Sequence, residues 1–79
     1  MKKTIHVTLN SINKVKSFVD VLSRYEADFV LSSGRYVVDA KSIMGIFSLD
    51  LTKPIELHID AKDADMDTIV EALTPYTGE

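Results

Sequence analysis

The sequence predicts an α+β fold, an open-faced β-sandwich in the order βαββαβα, with a four-stranded antiparallel sheet and helices on one face. Four short segments alternate apolar and polar residues, as strands with one buried face do. Between and after them, apolar residues recur every three or four positions, the spacing of an amphipathic helix. Alternation in every strand favours an antiparallel sheet with one solvated face. With 79 residues, a single domain over residues 1–79 is expected.

The first strand and first helix follow directly from this spacing. Residues 4–9, Thr-Ile-His-Val-Thr-Leu, alternate strictly, which puts the apolar residues on one face of a strand. A helix is predicted over about residues 12–25, because its apolar residues recur at helical spacing: Ile12, Val15, Phe18, Val19, Leu22 and Tyr25. Asn10, Ser11 or Asn13 is suited to cap its start, since each side-chain oxygen can accept a backbone N–H.

A hairpin and a second strand–helix unit complete the fold. Residues 28–32 and 36–39 are rich in strand-forming side chains and are separated by Ser-Gly-Arg, which predicts a tight turn. The fourth strand begins after Pro54, where apolar residues alternate with polar ones over residues 55–60. The last helix has apolar residues at Met66, Ile69, Val70 and Leu73, and Pro75 is expected to stop it.

The segment between the hairpin and the fourth strand is predicted to be a short helix from about Ser42 to Leu49. Its apolar side chains surround the helix: Ile43, Met44, Ile46, Phe47 and Leu49. At about 100° per residue they cannot all face one sheet. Either a neighbouring loop covers the rest, or a contiguous patch remains exposed for a protein partner.

Ser42 stands where this helix needs an N-cap. Its hydroxyl can accept a backbone N–H of the first turn, and capping alone would account for the residue. The alternative is a modification site, because a phosphate there would meet free amides and add a charge of about −1.5 to −2.

The stretch KSIMG, residues 41–45, followed by IFSL, residues 46–49, resembles the regulatory-serine segment of the HPr family, the small phosphocarriers of the bacterial sugar phosphotransferase system. The similarity extends to SRYEAD at residues 23–28, to Gly34 at the hairpin and to Ala64-Asp65 at the last helix. It covers about residues 3–74. The resemblance implies the open-faced sandwich, and a serine at position 42 that a kinase phosphorylates.

The start of the first helix departs from that family. Its carriers hold a phosphoryl group on a histidine there, in a pattern close to Gly-hydrophobic-His-Ala-Arg-Pro. Residues 10–18 read NSINKVKSF and contain no histidine, arginine, glycine or proline. Transfer through imidazole needs an accessible ring nitrogen, so the resemblance is to a variant that lacks the phosphorylatable histidine, similar to the catabolite-repression HPr-like proteins.

The two histidines, His6 and His58, fall on the polar faces of the first and fourth strands. These strands are neighbours in the family's sheet, so a two-ligand metal site is conceivable. A solvated cross-strand pair is the stronger interpretation, because no third ligand with suitable spacing is apparent, and no metal or other cofactor is expected. Lys14 and Lys16 oppose the helix dipole; they are either incidental or a basic docking edge.

The composition indicates which cellular compartment and which classes of partner to expect. The chain has no cysteine, which removes disulfides and thiolate chemistry and fits a reducing compartment. Neither a signal peptide nor a transmembrane stretch is recognisable, so a cytoplasmic protein without membrane contact is expected. The net charge of −3 argues against nucleic-acid binding.

The leading functional hypothesis is a non-enzymatic regulatory module, a monomer or weak dimer. Phosphorylation at Ser42 would control it, and Lys41, Ile43, Met44 and Phe47 would bind partners. Those partners are an HPr-type kinase, a transcription regulator or another phosphotransferase component. Two alternatives remain: a phosphocarrier with an atypical acceptor, and a ferredoxin-like module that binds small ligands, although the stacking aromatics of an RNA-binding sheet are missing.

Overall fold

The computed structural model describes residues 1–77. Its elements follow the chain as β1 (Lys2–Val7), α1 (Ile12–Leu22), β2 (Asp28–Ser33), β3 (Tyr36–Asp39), α2 (Ile43–Phe47), β4 (Ile55–Asp60), α3 (Asp63–Ala72) and α4 (Thr74–Thr77). The four-stranded antiparallel sheet has the order β1-β4-β2-β3. The predicted fold class is therefore confirmed, with one further helical turn at the end.

The core lies between one face of the sheet and the helices. Alternate residues of each central strand are buried, among them Phe29 and Leu31 on β2 and Leu57 on β4. α1 contributes Val15, Phe18 and Leu22, each fully buried. The rings of Phe18 and Tyr76 meet edge to face with centroids 5.5 Å apart, so the first long helix is joined to the last turn of the chain.

Two details differ from the sequence prediction. Ile12, expected on the buried face of the first helix, is 61 % exposed at the start of α1. The buried stripe begins one turn later, at Val15, because the first turn has no neighbouring element that covers it. Pro75 was expected to stop the last long helix, and α3 does end before it, at Ala72; the short helix α4, which was not predicted, follows and contains Pro75, whose fixed φ suits the first turn of a helix.

The loop after α2 is held by Asp50. Its carboxylate accepts the backbone N–H of Thr52 at 3.0 Å and also the Thr52 hydroxyl. These hydrogen bonds favour the ionised form and lower the pKa of Asp50 below its ordinary value. The loop between α2 and β4 is therefore stabilised by hydrogen bonds within the loop itself.

Candidate functional site

Ser42 is the N-cap of α2. Its backbone is extended (φ −100°, ψ 107°), and its Oγ accepts the backbone N–H of Gly45 at 3.1 Å. The backbone N–H of Ser42 donates to the Asp39 carbonyl at 3.0 Å, which joins the cap to the end of β3. The hydroxyl therefore has a structural function in the unmodified protein.

Gly45 allows this cap to lie against the sheet. A Cβ added at Gly45 would be 3.2 Å from the Ser42 Oγ and 3.3 Å from the Val38 Cβ. Both distances are closer than ordinary van der Waals contact, so any side chain at this position would push against the hydroxyl and against β3 at once. Because glycine has no Cβ, the Ser42 oxygen can approach the α2 backbone without this steric clash.

Three apolar residues of α2 stay in contact with solvent: Ile43 is 37 % exposed, Met44 81 % and Phe47 40 %. Ile46 is completely buried and Leu49 nearly so. The expectation that a short helix cannot bury apolar residues on every side is confirmed. Ile43, Met44 and Phe47 are called the α2 patch below, and their role in binding a partner remains a prediction.

Lys41 has a structural attachment. Its Nζ donates to the Tyr25 carbonyl at 3.1 Å and lies 5.5 Å from the centre of the Phe29 ring. The Lys41 side chain therefore connects the segment before α2 to the loop between α1 and β2, and to β2 itself. A role of Lys41 in partner binding stays a prediction, and it would require the ammonium group to serve both purposes or to leave this position.

The start of α1 is capped by Ser11, whose Oγ accepts the Lys14 backbone N–H at 3.1 Å. No acidic residue lies in the first turn, and Lys14 and Lys16 are not buried. Ile12 is exposed here, and α1 packs against α2. Helical spacing placed Ile12 on the buried face, although its position in the first turn was a signal that it could lie at the surface.

Both histidines lie on the sheet, away from any helix start. Strand register places Thr4 opposite His58 and His6 opposite Glu56, so the two rings are diagonal neighbours. His58 Nδ1 lies 3.0 Å from the Thr4 hydroxyl, while the Nε2 atoms of His58 and His6 lie 3.3 and 3.9 Å from the Glu56 carboxylate. Within residues 1–77 no three His, Cys, Asp or Glu side chains are arranged to hold a metal ion.

Comparison with known proteins identifies the family. The family model described as "PTS HPr component phosphorylation site" matches residues 5–77. The chain belongs to the HPr family. Members of this family act as phosphocarriers that work with other phosphotransferase proteins, and the match favours the HPr resemblance over the ferredoxin-like alternative.

Two solved HPr structures are similar to this chain. HPr-C-His from Thermoanaerobacter tengcongensis is 26 % identical with a TM-score of 0.68, over 95 % of this chain and 88 % of that one. The phosphocarrier protein HPr from Bacillus anthracis str. Ames is 28 % identical with a TM-score of 0.72, over 99 % and 96 %. No helix within residues 1–77 has the length and apolar character needed to cross a bilayer.

The Ser42 cap leads to a stability prediction for this HPr family member. Ser42→Ala should lower the free energy of unfolding by about 1 kcal/mol, because the Gly45 N–H loses its acceptor, whereas Ser42→Asp keeps a carboxylate oxygen there and should lose less. Urea denaturation followed by circular dichroism measures both variants. Equal losses in the two variants would show that the hydroxyl does not act as a cap.

Proposed function

We propose that this HPr family member is a regulatory protein-interaction module controlled by phosphorylation of Ser42, and that it does not carry phosphate on histidine. The observation that carries the proposal is the placement of Ser42 directly before three solvent-exposed apolar residues. A phosphorylated serine and an apolar surface on one short helix offer a partner both an anion for orientation and hydrophobic contacts for affinity.

The histidine positions support the second part of the proposal. A phosphocarrier needs an imidazole nitrogen that a donor and an acceptor protein can both reach. Here the first turn of α1 presents Ser11, Ile12 and Asn13, while His6 and His58 lie on strands beside Glu56. A neighbouring carboxylate would also repel an incoming phosphoryl group. Neither ring is therefore suited to the carrier role of the family.

The surroundings of Ser42 suit a phosphoserine. The Oγ already accepts the backbone N–H of Gly45 in the first turn of α2, and Gly45 has no Cβ to crowd it. Phosphorylation would add a charge of about −1.5 to −2 and three strong acceptor oxygens. We expect the modified helix to stay folded, so that the partner meets an altered charge on an unaltered apolar surface.

Charge distribution narrows the class of partner. Residues 10–19 and 34–54, which contain the start of α1, β3 and α2, carry five Lys or Arg residues and two Asp residues. The rest of the chain carries four basic and ten acidic residues. The proposed partner surface therefore has an apolar cleft for the α2 patch, a positively charged group for the Ser42 phosphate, and an acidic rim for Lys14, Lys16 and, at its edge, Lys41. An HPr-type kinase, a transcription regulator or another phosphotransferase component would supply it.

Incubation with an HPr-type kinase and ATP tests the proposal directly. We expect one phosphate on the wild type, localised to Ser42 by mass spectrometry, and none on Ser42→Ala. Ser48→Ala is the matched control, because Ser48 lies at the other end of the same helix and its hydroxyl bonds the Gly45 carbonyl; it should be labelled normally. A wild type that stays unlabelled while a carrier HPr is labelled would contradict phosphorylation at Ser42.

A second candidate function is phosphotransfer with an atypical acceptor. It is favoured by the similarity to the Bacillus anthracis phosphocarrier HPr over nearly the whole chain. Labelling with phosphoenolpyruvate and the first enzyme of the phosphotransferase system distinguishes it, because phosphohistidine is lost in acid and phosphoserine is not. Acid-labile label that disappears in His6→Ala or His58→Ala would replace the regulatory proposal.

A further inference from the structure

The free edge of the sheet at β3 has features that the proposed function does not use. β3 is the outer strand of the order β1-β4-β2-β3, and its residues Tyr36 and Val37 are each 66 % exposed. An exposed edge strand offers unpaired backbone N–H and C=O groups to another strand. Two large exposed side chains on a four-residue edge add apolar surface to those free backbone groups.

Strand register identifies which backbone groups are free. Ser33 pairs with Tyr36 across the two-residue turn, and Ser32 pairs with Val37. In an antiparallel hairpin the bonded and non-bonded pairs alternate from the turn. Because Ser33 and Tyr36 close the turn, the N–H and C=O of Val37 point away from β2. Val37 thus presents both groups to the free edge.

Charged residues flank Val37 symmetrically. Arg35 is the turn residue directly before β3, two positions before Val37, and Asp39 is the last residue of β3, two positions after it. Within residues 1–77 neither side chain takes part in a salt bridge. The Asp39 carboxylate accepts the Lys41 backbone N–H at 2.9 Å, which fixes its position without neutralising its charge.

We propose that β3 pairs with β3 of a second copy of this chain, antiparallel and centred on Val37. In this register each Val37 faces the other Val37 across a two-fold axis and exchanges both backbone hydrogen bonds with it. Tyr36 of each copy then faces Val38 of the other, and the long side chain of Arg35, in the turn before the strand, can reach the Asp39 carboxylate of the other copy. Every facing pair is complementary, and the two sheets join into one of eight strands.

Neighbouring registers and the other edge are less suitable. A shift by one position places Arg35 opposite Ala40 and Asp39 opposite Tyr36, so both ion pairs are lost. The opposite edge, β1, begins with Lys2 and Lys3, and lysines on an edge strand disfavour pairing. The β3 contact is small, so the association is weak, with a Kd on the order of 1 mM.

Paired charge reversals test the register. Arg35→Glu places Glu opposite Asp39 in its own dimer, and Asp39→Lys places Lys opposite Arg35, so each variant alone should stay monomeric. An equimolar mixture of the two restores both ion pairs and should associate like the wild type. ¹⁵N–¹H spectra recorded from about 0.05 to 2 mM total protein span the expected Kd, and the amide of Val37 should shift with concentration.

Two further variants distinguish pairing at β3 from association through another surface of the protein. Val37→Lys places two lysines next to each other on the two-fold axis of the dimer, so it should abolish the concentration-dependent shift of the amide signals. It keeps the Asp39 hydrogen bond and therefore remains informative even if Asp39→Lys fails to fold. Lys3→Glu reverses a charge on the opposite edge strand and should associate like the wild type. Wild-type spectra that do not change with concentration, shifts confined to the α2 patch, or association that persists in Val37→Lys would overturn the proposal.

Discussion

Met44→Asp is expected to reduce phosphorylation of Ser42 by an HPr-type kinase at least about 100-fold in kcat/KM. Met44 is the most exposed large apolar residue within residues 1–77 and contributes the most exposed side chain to the α2 patch. A carboxylate there would have to enter the apolar surface of the partner without a counterion, and loss of such a contact typically costs 2 kcal/mol or more, about 30-fold or greater. The acidic rim of the proposed partner adds repulsion.

The folded state should tolerate this substitution. Met44 makes few contacts with the core because it is 81 % exposed, and an acidic residue in the first turn of α2 is favoured by the helix dipole. Urea denaturation should give a free energy of unfolding within about 0.5 kcal/mol of the wild type. Val37→Asp, which changes an exposed apolar residue on β3, serves as the control and should leave kcat/KM nearly unchanged. Equal losses in the two variants would refute a specific role of the α2 patch.

Phe18→Ala should lower the free energy of unfolding by about 3–5 kcal/mol, the usual loss for a fully buried phenylalanine. Phe18 is 0 % exposed and holds the Tyr76 ring, while the neighbouring Ser17 hydroxyl bonds the Tyr76 hydroxyl. A domain of this length has a total stability of about 4–12 kcal/mol. The substitution should therefore remove a large fraction of the stability and lower the melting temperature strongly.

Thermal and urea denaturation measure this loss, and Ile12→Ala provides the comparison on the same helix. Ile12 is 61 % exposed, so its truncation should change the free energy of unfolding by no more than about 0.5 kcal/mol. A loss at Ile12 as large as the loss at Phe18 would mean that the first turn of α1 is packed in solution. Reduced kinase phosphorylation of Ile12→Ala with unchanged stability would instead extend the α2 patch onto α1.

Local patterns were sufficient for the fold. The strict alternation of residues 55–60 and the helical spacing of Val15, Phe18 and Leu22 each encode which face is buried, and the structure follows them. The differences lie at helix ends, at Ile12 and at the short helix α4, which was not predicted. There the outcome depends on whether another element covers the terminal turn, and spacing within one segment does not contain that information.

In the candidate site, too, the local pattern was predictable and the contacts between distant segments were not. The excess of apolar residues in α2 was visible in the sequence, because geometry forbids five of them on one face. The close approach of Gly45 to Val38, and the bond from Lys41 to the Tyr25 carbonyl, join positions that are 7 and 16 residues apart. Such contacts depend on how strands and loops pack together, and the spacing of apolar residues in the sequence does not predict them.

The pairing of β1 with β4 has a consequence for biosynthesis. The backbone of residues 2–7 can form its strand pairing only after residues 55–60 have been synthesised. The Thr8 amide likewise needs the Tyr76 carbonyl as its acceptor. A ribosome adds residues one at a time, so the backbone groups of β1 stay unpaired until β4 has been synthesised. This domain is therefore expected to complete its folding only after residues 55–76 have emerged from the ribosome.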